Sequence, residues 1–275
     1  MAPPESTGSE PGSAASDLVR TEKTGAVATV ELNFTPANCY SYDMMQQLDR
    51  TILELRMDES VHVIVLRGAG EKFFCAGADI GMLNDVTPEF KYYFCLHANE
   101  TLNRLEQTPK LTIAALNGHC VGGGLEVALA CDLRVAARGA GKIGLPEVKL
   151  GVLPGTGGTQ RLARWVGKST ALEWMLAGDT RSFEDAQAAG IINHVWESDG
   201  FHERVTEYAQ SFAPPHTASK AVGLIKRSVQ SGVEVGFHEG LALERELQQQ
   251  LFQSADAREG IASYVEKRPP NFQGR

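Results

Sequence analysis

Two glutamates in this chain sit in apolar company. Glu126 lies in GGGLEVALACD (122–132), after three glycines and among Leu125, Val127, Ala128, Leu129, Ala130 and Cys131. Glu147 lies in LPEVKLGVLPGTGGTQRL (145–162), beside a second glycine-rich run. A carboxylate in such surroundings is costly unless it is hydrogen-bonded, paired or protonated. Each residue therefore either points out to water or belongs to a site. The outward reading suits both, because a glutamate near a helix start complements the helix dipole and Pro-Glu commonly opens a helical turn. The inward reading makes them a general acid–base pair. Spacing alone does not show that they converge.

The glycine-rich stretches around them have chemistry of their own. FFCAGADI (73–80), NGHCVGGGLE (117–126) and the 145–162 segment each read as a strand, a glycine-containing loop and then a helix or turn start. That layout aims backbone N–H groups at an anion or a developing oxyanion. Nucleotide fingerprints fail here. GKS at 167–169 ends like a phosphate-binding loop, but the glycine that motif requires is Leu162; Gly155 and Gly157 open a G-x-G-x-x-G that breaks at Gln160. No G-x-S-x-G is present, so a hydrolase nucleophile elbow has no support. A fourth unusual stretch, SYVEKRPPNF (263–272), closes the chain.

The elements that must carry these loops follow from periodicity. AVATVEL (26–32) predicts a strand, 42–58 a helix with Met45, Leu48, Ile52 and Leu55 on one face, and HVIVLRG (62–68) a buried strand. Thr87 as N-cap with Pro88 at the first position predicts a helix to about Gln107. LTIAAL (111–116) and DLRVAA (132–137) predict strands on either side of a helix opened by the three glycines. This alternation indicates an α/β fold with largely parallel strands. Strand signals stop near residue 197, and 200–213, 216–231, 236–253 and 255–267 read as four successive helices. The expected organisation is a tail over 1–16, an α/β core over 17–197 and a helical region over 198–275. The tail, MAPPESTGSEPGSAAS, is expected to be disordered and lacks the features of a signal or transit peptide.

Composition narrows the function classes. A net charge of −8 and 22% charged residues argue against binding nucleic acid or a membrane through basic patches. No stretch approaches the ~18 apolar residues of a membrane span. Cys39, Cys75, Cys95, Cys120 and Cys131 form no C-x-x-C pair and no zinc-like spacing, and an odd, dispersed set fits a reducing cytoplasm.

Taken together, FCAGADI, NGHCVGGGLEVALACD, LPEVKLGVLPGTGGTQRL and the terminal EKRPPNF resemble the crotonase, or enoyl-CoA hydratase/isomerase, superfamily over roughly residues 25–272. The resemblance implies a spiral of ββα units with C-terminal helices that assemble trimers or dimers of trimers. It implies an acyl-CoA substrate whose thioester enolate is held by the N–H groups of Ala78 and Gly123. It places catalytic carboxylates at Glu126 and Glu147, a pairing that favours a hydratase (a lyase of fatty-acid β-oxidation type), with the N–H of Gly155 on the attacking water. It implies CoA contacts from Lys72, Ala76, Asp79, Ile80, Tyr264 and Lys267, and an acyl wall from Met82, Leu83, Tyr92, Tyr93 and Phe94. Coenzyme A enters only as part of the substrate, and neither a metal nor a redox cofactor is implied. Gly81 stands where many hydratases carry a lysine, Tyr40 and Tyr42 are bulkier than the usual run, and His97 reads as structural.

Other readings stay open on the sequence. A Δ3,Δ2-enoyl-CoA isomerase would use Glu147 alone, and a specialised hydratase would take a branched or cyclic acyl group. A non-catalytic acyl-CoA-binding subunit would have no use for both glutamates.

Overall fold

A computed structural model describes residues 17–275, so the tail expected over 1–16 lies outside the described residues. The chain begins with β1 (Val19–Thr24) and β2 (Val27–Leu32), an antiparallel pair, and then α1 (Tyr42–Met57). Three coils follow. The first is β3 (Val63–Gly68), β4 (Phe73–Cys75), α2 (Ile80–Asp85) and α3 (Pro88–Glu106); the second is β5 (Leu111–Leu116), β6 (His119–Val121) and α4 (Gly123–Leu129). The third is β7 (Leu133–Ala137), β8 (Ile143–Gly144), a 3₁₀ turn over Glu147–Leu150 and α5 (Gly158–Val166). The chain then runs through α6 (Lys168–Ala177), α7 (Phe183–Ala188) and β9 (His194–Trp196) to four C-terminal helices: α8 (Phe201–Gln210), α9 (Ser219–Gly232), α10 (Phe237–Phe252) and α11 (Ala255–Glu266).

Each coil gives its first strand to one sheet and its second to another. The larger sheet runs β1-β2-β3-β5-β7-β9 and is parallel from β2 onward; the smaller runs β4-β6-β8 and is parallel throughout. This is the ββα spiral that the resemblance implies. Alternation in the large-sheet strands sorts the core. Ile64, Leu66, Ala114 and Leu116 face α1, α3 and α4, while Val63, Val65, Ile113 and Ala115 face Phe201 and Val205 of α8. The α3 start is as expected, with Thr87 accepting from Phe90 N and Pro88 in the first turn.

Two buried asparagines tie successive coils together. Asn117 Nδ2 donates to the carbonyls of Gly68 (2.9 Å) and Gly70 (2.7 Å), and its Oδ1 accepts from Gly68 N. Asn38 Nδ2 donates to the carbonyls of Ala69 and Phe73, both at 2.9 Å. These bonds fix the ends of β3 and β4, from which the FCAGADI loop departs.

The C-terminal helices are clamped to the core through a buried ion pair. Lys226 of α9 lies 2.8 Å from Asp132, at the start of β7, and also donates to the Lys110 carbonyl. Asp132 further accepts from Thr112 N and Oγ1 and from Gln230 Nε2. Removing one partner of a buried pair typically costs about 3–5 kcal/mol. Asp132 would keep its other three donors, so Lys226→Met is expected at the lower end, about 3 kcal/mol, read as a lower denaturant midpoint. A midpoint unchanged from wild type would show that the clamp contributes nothing net.

No helix among the described residues is long and apolar enough to cross a membrane.

Candidate active site

Backbone pairing sets up the first two features of the site. Residues 37–40 run alongside 76–79: Ala76 N donates to Ala37 O, Tyr40 N to Gly77 O and Asp79 N to Tyr40 O. In this parallel bridge between Tyr40 and Ala78, the flanking groups are used and the N–H of Ala78 is turned to the other side. Gly123 is the first residue of α4, where an N–H has no acceptor within the helix. A Cβ on Gly77, whose φ is +94°, would lie 2.9 Å from Gly123 N, so the two loops are in contact. Among the described residues neither N–H donates to the protein. Two unused donors at the start of a helix form a site for a developing oxyanion.

Gly123 itself is sterically required. A Cβ there would sit 2.0 Å from Tyr40 Oη, because the hydroxyl end of the buried Tyr40 ring abuts this helix start.

Glu126 points inward. It is 2% exposed, and the loop ahead of α5 wraps its carboxylate. Oε1 accepts from Thr156 N (2.8 Å) and Gly158 N (2.7 Å), and Oε2 accepts a short hydrogen bond from Thr156 Oγ1. The loop is held in turn by Arg161, which donates to the Thr156 carbonyl and pairs with Glu106 at 2.9 Å, and by Asn99, which donates to Gly155 O at 3.3 Å. Gly155 N has no acceptor among the described residues.

Glu147 opens the 3₁₀ turn and is dressed differently. Its Oε1 approaches Gly122, where an added Cβ would stand 3.2 Å away, and its buried Oε2 has no partner among the described residues. Burial, opposed by a backbone hydrogen bond and reinforced by the nearby Glu126 charge, raises its pKa from 4.5 to about 7. One carboxylate thus accepts three hydrogen bonds from the protein, while the other has a bare Oε2 and is close to half-protonated at neutral pH. That is the asymmetry expected of a base and an acid sharing one site.

The remaining expected positions fall in several places. Met82 and Leu83 of α2 are half-buried against the core, while Tyr92 and Tyr93 are 66% and 65% exposed on α3. Phe94 is fully buried, its ring centroid 6.0 Å from that of Tyr40 and 6.5 Å from that of Tyr42. Ala76 is engaged with Ala37, Asp79 caps α2 through Gly81 N, and Ile80 is exposed. Lys72 stands on the exposed turn before β4. Tyr264 is 86% exposed, and Lys267 ends α11 with φ 58°; the Lys267 N–H bonds back into its own helix. His97 packs against Tyr42 at 5.3 Å between ring centroids. Sequence reading missed Thr156, Gly158, Asn99 and Arg161, and noted Tyr40 only as bulkier than the usual run.

Comparison with known proteins adds independent findings. The family model described as enoyl-CoA hydratase/isomerase matches residues 22–275. A short-chain-enoyl-CoA hydratase of Clostridium acetobutylicum is 36% identical over 248 residues, covering 90% of this chain and 94% of that protein. Human mitochondrial methylglutaconyl-CoA hydratase is 36% identical over 241 residues, covering 86% of this chain and 70% of that protein. A solved enoyl-CoA hydratase of Geobacillus kaustophilus superposes with a TM-score of 0.92 at 42% identity, covering 95% of this chain and 98% of that one.

Proposed function

The chain belongs to the enoyl-CoA hydratase/isomerase family, and from that premise we propose that it adds water across the 2,3 double bond of a 2-trans-enoyl-CoA to give a 3-hydroxyacyl-CoA. The observation that carries this reading is the unequal pair of glutamates beside two unused N–H donors.

In the proposed reaction the thioester oxygen lies between Ala78 N–H and Gly123 N–H. Water is oriented by Glu126 and Gly155 N–H. Its oxygen bonds to C3 while one of its protons passes to Glu126, and the electron pair of the double bond moves onto the thioester oxygen. Glu147 then delivers a proton to C2, and the charge returns to re-form the thioester carbonyl. The product gains one OH and one H, with no net oxidation, so the scheme balances without a redox group. Each oxyanion donor is typically worth ~2.7–4 kcal/mol of barrier, and each positioned proton transfer about 10²–10⁴-fold in rate.

The same reading assigns CoA contacts to Lys72, Ala76, Asp79, Ile80, Tyr264 and Lys267, with Met82, Leu83, Tyr92, Tyr93 and Phe94 around the acyl chain. It also includes a homotrimer or dimer of trimers in the cytoplasm. Tyr264 is exposed near the end of α11 and Lys267 caps that helix, which fits a role toward the CoA of a neighbouring subunit.

Similarity to a short-chain-enoyl-CoA hydratase makes crotonyl-CoA the first substrate to try. Wild type should consume its enoyl-thioester absorbance, and Glu126→Gln should slow this by about 10²–10⁴-fold. A one-carboxylate isomerase gives the opposite pattern: 3-enoyl-CoA converts to 2-enoyl-CoA, and Glu126→Gln is tolerated. Tight binding without turnover on straight, branched or cyclic enoyl thioesters would overturn the catalytic reading altogether.

A further inference from the structure

Thr156 and Tyr40 form a hydrogen-bonded chain behind the catalytic pair that the proposed reaction does not use. Tyr40 Oη lies 3.2 Å from Thr156 Oγ1, and Thr156 Oγ1 is hydrogen-bonded to Glu126 Oε2. Both side chains are buried, Tyr40 at 3% and Thr156 at 2% exposed. The two hydroxyls come from positions 116 residues apart in the chain.

Lone-pair counting shows what the chain does to Glu126. A carboxylate has about four acceptor positions, two on each oxygen. Oε1 takes two backbone N–H groups, from Thr156 and Gly158, and is full. Oε2 takes only the Thr156 hydroxyl and keeps one position open. The single lone pair left for water, and for the proton that water loses, is therefore on Oε2. An ionised carboxylate only accepts, so the Thr156 hydroxyl must donate to it. That leaves Thr156 Oγ1 to accept from Tyr40, giving the direction Tyr40 to Thr156 to Glu126. Burial and the nearby Glu126 push the Tyr40 phenol well above its usual pKa, which keeps it a neutral donor.

Tyr40 also touches the other half of the site. Its Oη occupies the space a Cβ on Gly123 would take, so the same ring that ends the hydroxyl chain backs an oxyanion donor.

We infer that Tyr40 and Thr156 are positioning residues: their hydroxyl relay selects Oε2 of Glu126 as the proton acceptor and fixes it relative to the Gly123 N–H. This inference rests on the hydratase reading and extends it to two residues that act through Glu126 and Gly123 and not on the substrate itself.

The test is a double-mutant cycle on crotonyl-CoA hydration with Thr156→Val, Thr156→Ser, Tyr40→Phe and the Thr156→Val/Tyr40→Phe pair. Valine matches the volume of threonine, so a cavity does not confound the result. Thr156→Val is expected to lower kcat by about 10–100-fold, the scale of a hydrogen bond to a charged group, with KM within about twofold, since substrate contacts are untouched. Thr156→Ser should restore most of the rate. Tyr40→Phe alone should cost about 3–10-fold, yet nothing further in the Thr156→Val background, because its hydroxyl acts only through Thr156. Additive losses with KM and thermal midpoint moving together would mean packing alone and would overturn the relay. An active wild type with an equally active Thr156→Val would overturn it too, leaving the hydratase reading intact. A wild type inactive on every enoyl thioester would overturn both.

Discussion

Replacing Glu147 with Gln is expected to lower kcat/KM for hydration by about 10²–10⁴-fold at pH 6 and to remove the fall in rate that wild type shows above neutrality. The reason is the unpartnered, buried Oε2 and the resulting pKa of about 7. In its proposed role as proton donor to C2, Glu147 must be protonated in the free enzyme, so kcat/KM should halve near pH 7 and drop about tenfold per unit above it. Glutamine keeps the size of the side chain but has no proton to lose, so its residual rate should be flat through this range. Linkage gives a second readout with its own sign. The folded-state pKa lies above the ordinary 4.5, so the folded protein holds a proton that the unfolded chain releases. The contribution of Glu147 to stability is then fully present below pH 4.5 and lost as pH rises to about 7. The thermal midpoint of wild type should fall relative to Glu147→Gln across that window. A wild-type profile without a basic limb between pH 6 and 8 would remove Glu147 from the acid role.

The largest loss of stability is expected at Arg134, far from the reacting atoms. Its side chain is 0% exposed. Nε donates to Ile191 O (2.6 Å) and Nη1 to Cys131 O (2.6 Å) and Ala128 O (3.3 Å), and the guanidinium lies 4.2 Å from the Trp165 ring centroid. The cation thus satisfies carbonyls at the C-terminal end of α4, the helix whose first turn carries Gly123 and Glu126, and it sits at the end that favours positive charge. Burial pushes its pKa down to about 10, so it remains charged at neutral pH. Arg134→Met leaves the buried Ile191 and Cys131 carbonyls without this donor, each worth roughly 1–3 kcal/mol when left unmade, while Ala128 O keeps the N–H of Cys131. The expected loss is about 3–5 kcal/mol, on the order of 10 °C in thermal midpoint for a chain of this size. Arg134→Lys should recover only part of it, because an ammonium does not reproduce the planar fork. A midpoint shift of about 2 °C or less in Arg134→Met would mean that other donors replace it.

What could be read from the sequence follows the length of each element. VATVEL is long enough to show alternation, HVIVLRG to show a continuous apolar run, and Thr87-Pro88 announces α3 in chemical terms; the structure has β2, β3 and α3 there. The smaller sheet was less legible. Its strands span Phe73–Cys75, His119–Val121 and Ile143–Gly144, too short for a period, and the strand-then-glycine-loop layout gave neither their bounds nor their pairing into a second sheet. The exposed, polar run of β1 gave no signal either. At the site, Glu126 was legible because its neighbours are apolar. Phe94, expected near the acyl chain, also belongs with Ala98, Leu102 and Leu105 to a helical stripe that is buried in the core, a packing role that its neighbours in sequence did not reveal. The partners of Glu126 were hidden, because the contact between Tyr40 and Thr156 spans 116 residues and exists only once the coils are stacked.

The stacking of the coils also sets the order in which the site comes into being. Each coil pairs mainly with the one before it, so the spiral is close to one-dimensional and can grow by addition at its end. A nascent chain that has completed α4 already holds Ala78, Gly123 and Glu126. It lacks Thr156, Gly158 and Glu147, which all arrive with the third coil. Until then the Glu126 carboxylate has none of the donors that later satisfy it. The third coil therefore closes the repeating part of the spiral and in the same step brings the donors of the buried Glu126, so completion of the candidate site and completion of the three coils coincide.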